Sequence, residues 1–158
     1  MKFALKCSPG QKISKRQSKI AIIGAGPAGL GAAGYLICKG YDVDVYDRMP
    51  EPGGMTLFAI PNWRLPWNNI RAGVRELREL GVNFFSNVKV ICDEEYSIEG
   101  DQFVKSKIHL EELIDKYDAL VIATGTWESR KLKIPGEDLK GSYLALDYLF
   151  RIYASQHG

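Results

Sequence analysis

Three glycines and one acid in the first third of the chain have the types and spacing that bind a dinucleotide. Gly24, Gly26 and Gly29 form the pattern G-x-G-x-x-G, and Asp47 follows further along. In such a pattern the first glycine permits a tight turn, the second lets a pyrophosphate approach the backbone, and the third lets a helix lie close to a strand. A carboxylate at Asp47 can accept both ribose hydroxyls. These residues predict a nucleotide site; the alternative is a glycine-rich turn that only packs.

The segments around these residues predict a strand, a helix and a second strand. Residues 20–23 are a short apolar run of the kind found in buried parallel strands. Pro27 suits the first turn of a helix that ends near Gly40, and residues 41–46 alternate as a strand. The first turn of a helix leaves backbone N–H groups unpaired at the positive end of the helix dipole, so an anion is favoured there.

A second segment, residues 49–69, is dense in proline and glycine and carries large apolar residues. A long connection of this kind inside a domain is usually functional. Gly53 and Gly54 allow the backbone to approach a ligand closely. Arg64 lies between two X-Pro pairs and can offer paired donors to a phosphate or a flavin carbonyl, or else it is a surface arginine. The two tryptophans of the segment cover either a planar ring or the core.

Charge is distributed unevenly along the 158 residues, whose formal net charge is +2. Residues 1–19 hold six Lys and Arg and no acid, which leaves 15 basic against 19 acidic groups in the rest. The positive charge therefore belongs to the amino-terminal segment and does not indicate nucleic acid binding. We expect a solvated or loosely packed tail; the functional alternative is docking on an acidic partner.

The three cysteines, Cys7, Cys38 and Cys92, form no C-x-x-C and predict no zinc, iron–sulfur or other metal site. We expect Cys38 and Cys92 to be packing residues. An odd number of cysteines fits a reducing cytoplasm, which is the predicted location of the protein. No run of 18 apolar residues exists, so the sequence predicts no membrane span.

The rest of the chain predicts three more helices and three more strands. The expected helix caps are Asn68 or Asn69, Ser106 and Ser142. The elements are helices over 70–80, 108–117 and 144–155, strands over 82–85, 88–92 and 118–124, a loop or loose hairpin over 93–106, and an irregular segment over 127–141.

Five motifs, GAGPAGL, PGGM, IPNWRLP, VIATG and KIPGEDLKG, occur in this order, and with them the sequence strongly resembles the FAD half of the glutamate synthase small-subunit group. That group is similar to ferredoxin-linked NADP oxidoreductases and to the flavin part of dihydropyrimidine dehydrogenase. The resemblance covers about residues 18–153. It implies an α/β fold: a Rossmann-like FAD-binding domain with a parallel sheet over 19–143, preceded by a basic tail over 1–18 and followed by an amphipathic helix over 144–158 at a domain or subunit junction.

The resemblance also implies FAD as the cofactor. The pyrophosphate would lie over residues 24–29, the adenosine ribose on Asp47, and the adenine against the backbone of Val90. Arg48, directly after the acid, is either solvated or stacked on the adenine. No residue of this chain is predicted to be catalytic. The candidate cofactor-binding residues are Gly24, Gly26, Pro27, Ala28, Gly29, Asp47, Arg48, Gly53, Gly54, Met55, Arg64, Val90, Ala123, Thr124 and Gly125.

The sequence departs from that group in ways that bear on function. It has no cysteine-rich cluster domain, no second G-x-G-x-x-G domain for NAD(P)H and no return strand ending in Gly-Asp. We therefore expect a fold that is incomplete relative to the family: an FAD-binding subunit or fragment passing electrons between NAD(P)H and an iron–sulfur or other redox partner. Another chain would supply the NAD(P) domain and the missing strand. The alternatives are a domain that binds NAD(P) directly and a non-catalytic subunit that has lost its cofactor.

Overall fold

Four parallel strands form the main sheet of the computed structural model, which describes residues 1–92, 97–98 and 100–157, without the side chains of 156 and 157. The order across the sheet is β3-β2-β1-β6, and a second, two-stranded parallel sheet pairs β4 with β5. The strands are β1 (Lys19–Ile23), β2 (Asp42–Asp47), β3 (Asn83–Ser86), β4 (Val88–Ile91), β5 (Ser106–His109) and β6 (Ala119–Ile122).

Five helices connect or flank these strands, and they differ in how they begin and end. The first begins at a proline, whose fixed φ suits an initial turn, and ends before Gly40 at φ +88°. The helices are α1 (Pro27–Cys38), α2 (Met55–Phe58), α3 (Trp67–Glu79), α4 (Leu110–Lys116) and α5 (Ala145–His157). The structure thus confirms the predicted α/β fold with a parallel sheet.

The order of the strands reverses beside β1. The chain passes from β1 through α1 to β2 on one side, and β6 later pairs with the other side of β1. Ile23 is the last residue of β1 and lies opposite Tyr46 of β2 and Ile122 of β6. In an open parallel sheet a reversal of this kind leaves a crevice outside the carboxyl ends of the strands.

Three apolar clusters hold the layers together. The first lies between the sheet and helices α1 and α3, and the third lies on the opposite face, between the sheet, α4 and the small sheet. The second joins α2, α3 and α5 through Phe58, Ile70, Phe150 and Tyr153. Phe150 is 1% exposed, so α5 packs on the segment that follows β2.

A buried carboxylate lies within β2, on the face of the main sheet that packs against the small sheet. Asp44 is 1% exposed and accepts hydrogen bonds from Lys19 Nζ, Asn83 Nδ2 and the Tyr117 hydroxyl. Burial alone would raise the pKa of Asp44, but these three hydrogen bonds outweigh it and lower the pKa below its ordinary value. The Asp44 carboxylate is bound by these three side chains, so its role is to stabilise the fold.

The amino-terminal segment differs from the expected loose tail. Ala4 and Cys7 are buried in the first cluster, and the Met1 ammonium donates to the carbonyl oxygen of Asn69 at 2.8 Å. The segment fits because Gly34 and Gly73 on α1 and α3 lack side chains where its backbone crosses; a Cβ at either would collide with residues 1–4. The spacing of apolar residues in the sequence could not predict this packing, because the contacts are irregular and join residues that are distant in sequence.

The expectation that Cys38 and Cys92 are packing residues holds for Cys38, which packs against the first cluster, and is wrong for Cys92. Cys7 and Cys38 form a disulfide with their Cα atoms 5.4 Å apart, whereas Cys92 is free and exposed. The pairing follows from the amino-terminal segment folding back over the end of α1. The cytoplasmic prediction rested on the odd number of cysteines, and a disulfide is more usual in an oxidising compartment, so that prediction loses support. No described helix has the length and apolar content needed to cross a membrane.

Smaller differences concern the ends of elements. Helix α3 begins after Pro66 with no side-chain cap, while the Asn62 side chain accepts from the Trp67 N–H. Ser106 begins strand β5 instead of capping a helix, and His109 occupies the cap of α4, where Glu112 returns a bond to its backbone. Residues 93–96 and 99 of the predicted loop lie outside the described residues.

Candidate functional site

A cavity of about 980 Å³ opens at the carboxyl ends of β1, β2 and β6, where the strand order reverses. Strand β4 and the segment after β6 form its other walls. Ten of the candidate residues line it: Gly24, Gly26, Pro27, Asp47, Arg48, Gly54, Met55, Val90, Thr124 and Gly125.

The glycine turn after β1 forms one wall of this cavity, and each glycine has a distinct steric reason. Gly24 has φ +104°, and a Cβ there would collide with the backbone of Ala123. A Cβ on Gly29 would collide with the Gly24 carbonyl, so the glycine lets α1 lie close to the turn. A Cβ on Gly26 would meet no described atom within 4 Å, and Gly26 lines the cavity. The open space therefore lies over the middle glycine.

Helix α1 begins at this open space. Gly26 is its N-cap and provides no side-chain hydrogen bond, so the first-turn amides, those of Ala28 and Gly29, are not capped by it. Ala28 is exposed and Gly29 is buried, and the first turn of α1 itself contains no acidic residue. The positive end of the helix dipole thus faces a site that can hold an anion.

Asp47 ends β2 directly beside this turn. Its carboxylate accepts hydrogen bonds from the backbone N–H groups of Ala25 and Met49, which hold it at the cavity wall. Burial raises the pKa of the Asp47 carboxyl, and the two backbone donors and Arg48 oppose that rise. Each carboxylate oxygen has a further lone pair, so the group can still accept hydroxyl donors from a ligand.

The second glycine-rich segment lies against the first. The Gly53 N–H donates to the Ala25 carbonyl at 2.8 Å, and a Cβ on Gly54 would lie 2.7 Å from the Gly26 Cα. Gly53 and Gly54 have φ of +152° and +53°, which side chains rarely permit. Gly54 and Met55 line the cavity, whereas Gly53 supports them from behind.

Arg48 crosses one end of the cavity. Its Nη1 pairs with Asp101 Oδ1 at 2.9 Å, and its guanidinium carbon lies 4.6 Å from the centre of the Trp127 ring. Lys89 Nζ pairs with the other Asp101 oxygen at 2.7 Å. Arg48 Nη2 is buried and has no hydrogen-bond partner among the described residues. The prediction that Arg48 is solvated is therefore wrong, and it keeps one donor for a ligand.

The charge of the lining favours an anionic ligand. Among the described lining residues five cations stand against two acids. A polyanion is therefore attracted to this cavity. The cations are Arg48, Lys89, Arg130, Lys131 and Lys133, and the acids are Asp47 and Glu128.

Five of the fifteen candidate residues do not line the cavity: Gly29 and Gly53, described above, and Arg64, Ala28 and Ala123. Arg64 is exposed and stacks on Trp63, which is 80% exposed, and neither lines the cavity. Trp67 packs on Tyr153 in the second cluster and so covers core. Ala28 lies in the first turn of α1 without lining the cavity, and Ala123 supports the wall through its N–H to the Ile23 carbonyl.

Residues 126–131, Lys133 and strand residue Lys89 line the cavity but were not among the predicted site residues, whereas Thr124 and Gly125 of the same segment were. Trp127 stacks on Arg48 and donates from Nε1 to the Thr124 carbonyl at 2.9 Å, while the cations after it line the cavity. The run WESRKLK, which follows VIATG after one intervening threonine, is the signal that could have indicated a basic wall. No three His, Cys, Asp or Glu side chains in the described part of the chain lie together as metal ligands.

Comparison with known proteins gives consistent matches to oxidoreductases. A glutamate synthase [NADPH] small chain from Halomonas elongata is 36% identical over 93% of this chain and 28% of its own length. The NADP(+)-dependent formate dehydrogenase subunit beta of Moorella thermoacetica is 37% identical over 76% of this chain and 15% of its own. FprA of Mycobacterium tuberculosis, solved in complex with NADPH, superposes with a TM-score of 0.67 at 29% identity over 85% of this chain and 28% of that one.

This chain thus spans less than a third of the length of each of these relatives. The similarity to glutamate synthase small chains that the motifs indicated is confirmed. The family model described as pyridine nucleotide-disulphide oxidoreductase matches residues 18–155, which include every strand and helix that lines the cavity. The chain therefore belongs to the pyridine nucleotide-disulphide oxidoreductase family.

Proposed function

We propose that the cavity binds FAD and that this chain is the FAD-binding part of an oxidoreductase that passes electrons between NAD(P)H and an iron–sulfur or other redox partner. The observation that carries the proposal is the open space over Gly26, at the uncapped end of α1 and beside the fixed carboxylate of Asp47. An anion and a ribose can be held there together.

The residues of the cavity fit the parts of such a ligand. The pyrophosphate would lie over Gly26 and the first turn of α1, with Gly54 close on its other side. Asp47 would accept from the adenosine ribose, and the free donor on Arg48 would serve the adenosine end. Val90, on the opposite wall, would meet the adenine through its backbone. Arg64 is exposed, so a role at the flavin requires the segment to move.

When bound, the flavin supplies the two-electron chemistry, and this chain binds and orients it. Hydride transfer to a flavin requires no acid–base pair from the protein, and no lining residue is proposed for that role. The five cations of the lining would hold the negative charge of the dinucleotide. The chain's contribution is therefore positioning and electrostatics.

The nicotinamide part of the function rests on the relatives. The FprA structure was solved in complex with NADPH, and the name of the Halomonas protein, glutamate synthase [NADPH] small chain, includes NADPH. Because this chain spans less than a third of either, we propose that NAD(P)H binds outside residues 1–158, in a region that corresponds to the rest of those relatives.

Absorption during FAD titration tests the proposal with two matched glycines. Gly26 is the N-cap of α1 and Gly31 lies five residues further along, and a Cβ at either meets no described atom within 4 Å. Gly26 has φ −73°, so alanine is tolerated by its backbone. We expect flavin bands at about 370 and 450 nm in the wild type, and about tenfold weaker binding for Gly26→Ala but not Gly31→Ala. Equal effects of the two variants would contradict the proposal.

The two alternatives give different spectra. A domain that binds NAD(P) directly would bind NADH or NADPH in place of FAD and stay without the band at about 450 nm. A subunit that has lost its cofactor would bind neither, alone or in its assembled complex. The fixed Asp47 and the open Gly26 favour a dinucleotide over the second alternative.

We further propose that another polypeptide completes the sheet beside β6. No described strand pairs with the outer side of β6, and Ile122 is 70% exposed. The following segment exposes Leu132 and Leu139 to similar degrees. An open apolar edge favours pairing with another strand. Sedimentation of the purified chain and co-purification from its source test this: a monodisperse monomer that holds FAD tightly would show the idea to be wrong.

A further inference from the structure

A second groove lies at the opposite end of the sheet from the dinucleotide cavity. It has a volume of about 490 Å³ and is formed where β1 and β6 begin and α1 ends. Its floor includes Ile20, Leu36 and Ala119, and its walls include Tyr35 and Tyr41. Tyr35 is 50% exposed, so the groove offers an aromatic surface to a ligand.

Three cations surround these two tyrosines. Lys6 Nζ and Lys39 Nζ each lie 5.5 Å from the centre of the Tyr35 ring, and the Arg16 guanidinium lies 5.0 Å from that of Tyr41. Cations held over ring faces are attracted by the ring quadrupole and keep a defined position. The amino-terminal segment, in contact with α1, thus presents its charge as an ordered basic surface.

The fold needs only part of this charge. Arg16 caps the carboxyl end of α1, because its Nε donates to the Lys39 carbonyl and its N–H to the Gly40 carbonyl. No comparable role for the fold explains why Lys6 and Lys39 both approach one exposed ring. Asp118 is the acid among the residues that line the groove, and its carboxylate accepts from the Lys19 N–H.

The Cys7–Cys38 disulfide holds this arrangement together. Each cysteine is adjacent in sequence to one of the two lysines, Cys7 after Lys6 and Cys38 before Lys39, so the bond fixes Lys6 beside Lys39 across Tyr35. The basic groove is therefore assembled from two distant parts of the chain through a covalent link.

The charges favour carboxylates as the ligand. The groove lies at the carboxyl end of α1, whose negative dipole end opposes any anion, so the three cations and not the helix must attract the ligand. Asp118 in the lining and Asp42 beside it oppose a continuous run of negative charge and leave room only for a few carboxylates placed at those cations. A short protein segment with carboxylates around an apolar side chain fits both the cations and the apolar floor.

We propose that this groove is a docking site for an extended acidic segment of a partner protein. Such a segment places carboxylates by Lys6, Lys39 and Arg16 and an apolar side chain between Tyr35 and Tyr41. Docking there leaves the dinucleotide cavity open, since the two lie at opposite ends of the strands.

Fluorescence anisotropy with a labelled peptide tests the proposal on the full chain. The probe is a peptide of about twelve residues, Glu and Asp with one central Leu, and the competitor is a single-stranded oligo-dT of the same length. We expect peptide binding that weakens with salt, falls at least about tenfold in Lys6→Glu/Lys39→Glu, and falls in Cys7→Ser/Cys38→Ser.

The matched control, Lys105→Glu/Lys140→Glu, reverses the charge of two exposed lysines elsewhere on the surface and so makes the same change in net charge. The proposal requires that this variant bind the peptide as the wild type does. Absence of peptide binding, equal loss in both double variants, or tighter binding of the oligonucleotide would each overturn it. FAD titration of the same variants separates this result from the proposed function, because none of the four substituted lysines is among the described residues that line the dinucleotide cavity.

Discussion

The backbone N–H of Gly53 donates a hydrogen bond of 2.8 Å to the carbonyl oxygen of Ala25. This bond joins the segment after β2 to the turn after β1 before any ligand is present. Asp47, which accepts from Ala25 and Met49, holds the same two segments from the side. The dinucleotide cavity is therefore formed by the chain's own backbone contacts, so substitutions at these contacts should change both stability and ligand binding.

Gly54→Ala should disturb this junction. The residue has φ +53° and ψ −141°, and its new Cβ would lie 2.7 Å from the Gly26 Cα. We expect a loss of about 1–3 kcal/mol in the free energy of unfolding, together with weaker FAD binding, measured by urea denaturation and by absorption titration. Gly141→Ala, at φ +96° with no described atom within 4 Å, is the control for backbone strain alone. Unchanged FAD affinity in Gly54→Ala would contradict the expectation.

Asp47→Asn should lose one of two backbone hydrogen bonds. An amide accepts at one atom only, so the N–H of Ala25 or Met49 would face an NH₂ group. We expect the free energy of unfolding to fall by about 1–3 kcal/mol and FAD affinity to fall as the ribose loses an acceptor. Asp47→Glu keeps both acceptors and should retain most of the affinity in isothermal titration calorimetry. A glutamate variant as weak as the asparagine variant would argue against ribose contact.

Asp44→Asn should change how stability depends on pH. The folded pKa of Asp44 lies below its ordinary value of 3.8, so its ionised form stabilises the fold above the unfolded pKa, and that contribution is lost as the pH falls through the folded pKa. We expect the variant to be about 1–3 kcal/mol less stable at pH 7 and to lose less stability on acidification below about pH 4. Asp42→Asn, exposed on the same strand, should keep the wild-type profile in chemical denaturation at each pH.

Removing the disulfide should destabilise the chain without emptying the cavity. Cys7 and Cys38 are 31 residues apart, and closing a loop of that length stabilises a protein by about 3–4 kcal/mol in the chain-entropy model. We expect Cys7→Ser/Cys38→Ser to lower the thermal midpoint while FAD affinity stays within about twofold. Cys92→Ser, at the free and exposed cysteine, is the control. A thermal midpoint equal to that of the wild type would show that the bond is not formed in solution.

Sequence predicted those parts of the structure that depend on neighbouring residues. The β1–α1–β2 unit, the end of a strand at Asp47 and the strand before Thr124 all follow from short apolar runs and glycines. Contacts between distant segments were not predictable in this way. The amino-terminal segment packs on glycines of α1 and α3, and β4 pairs with β5 rather than β3, for reasons of shape that no local pattern expresses.

Arg64 and Arg48 illustrate the same limit at the site. Prolines beside Arg64 indicate a stiff backbone but not the direction of the side chain, which lies on Trp63 at the surface. Arg48 instead is ordered by Asp101 and Trp127, which are both far from it in sequence. The position of a charged side chain is set by partners that only the folded chain brings together.

Helix α1 is twelve residues long, which corresponds to about 18 Å at 1.5 Å per residue. Its amino end faces the dinucleotide cavity and its carboxyl end is capped by Arg16. That length is roughly twice the distance of about 8–10 Å over which salt screens exposed charges. Exposed charges at the two ends, such as those of the lysines around Tyr35, are consequently screened from the cavity by salt, so mutation of such charges at one end need not alter ligand binding at the other.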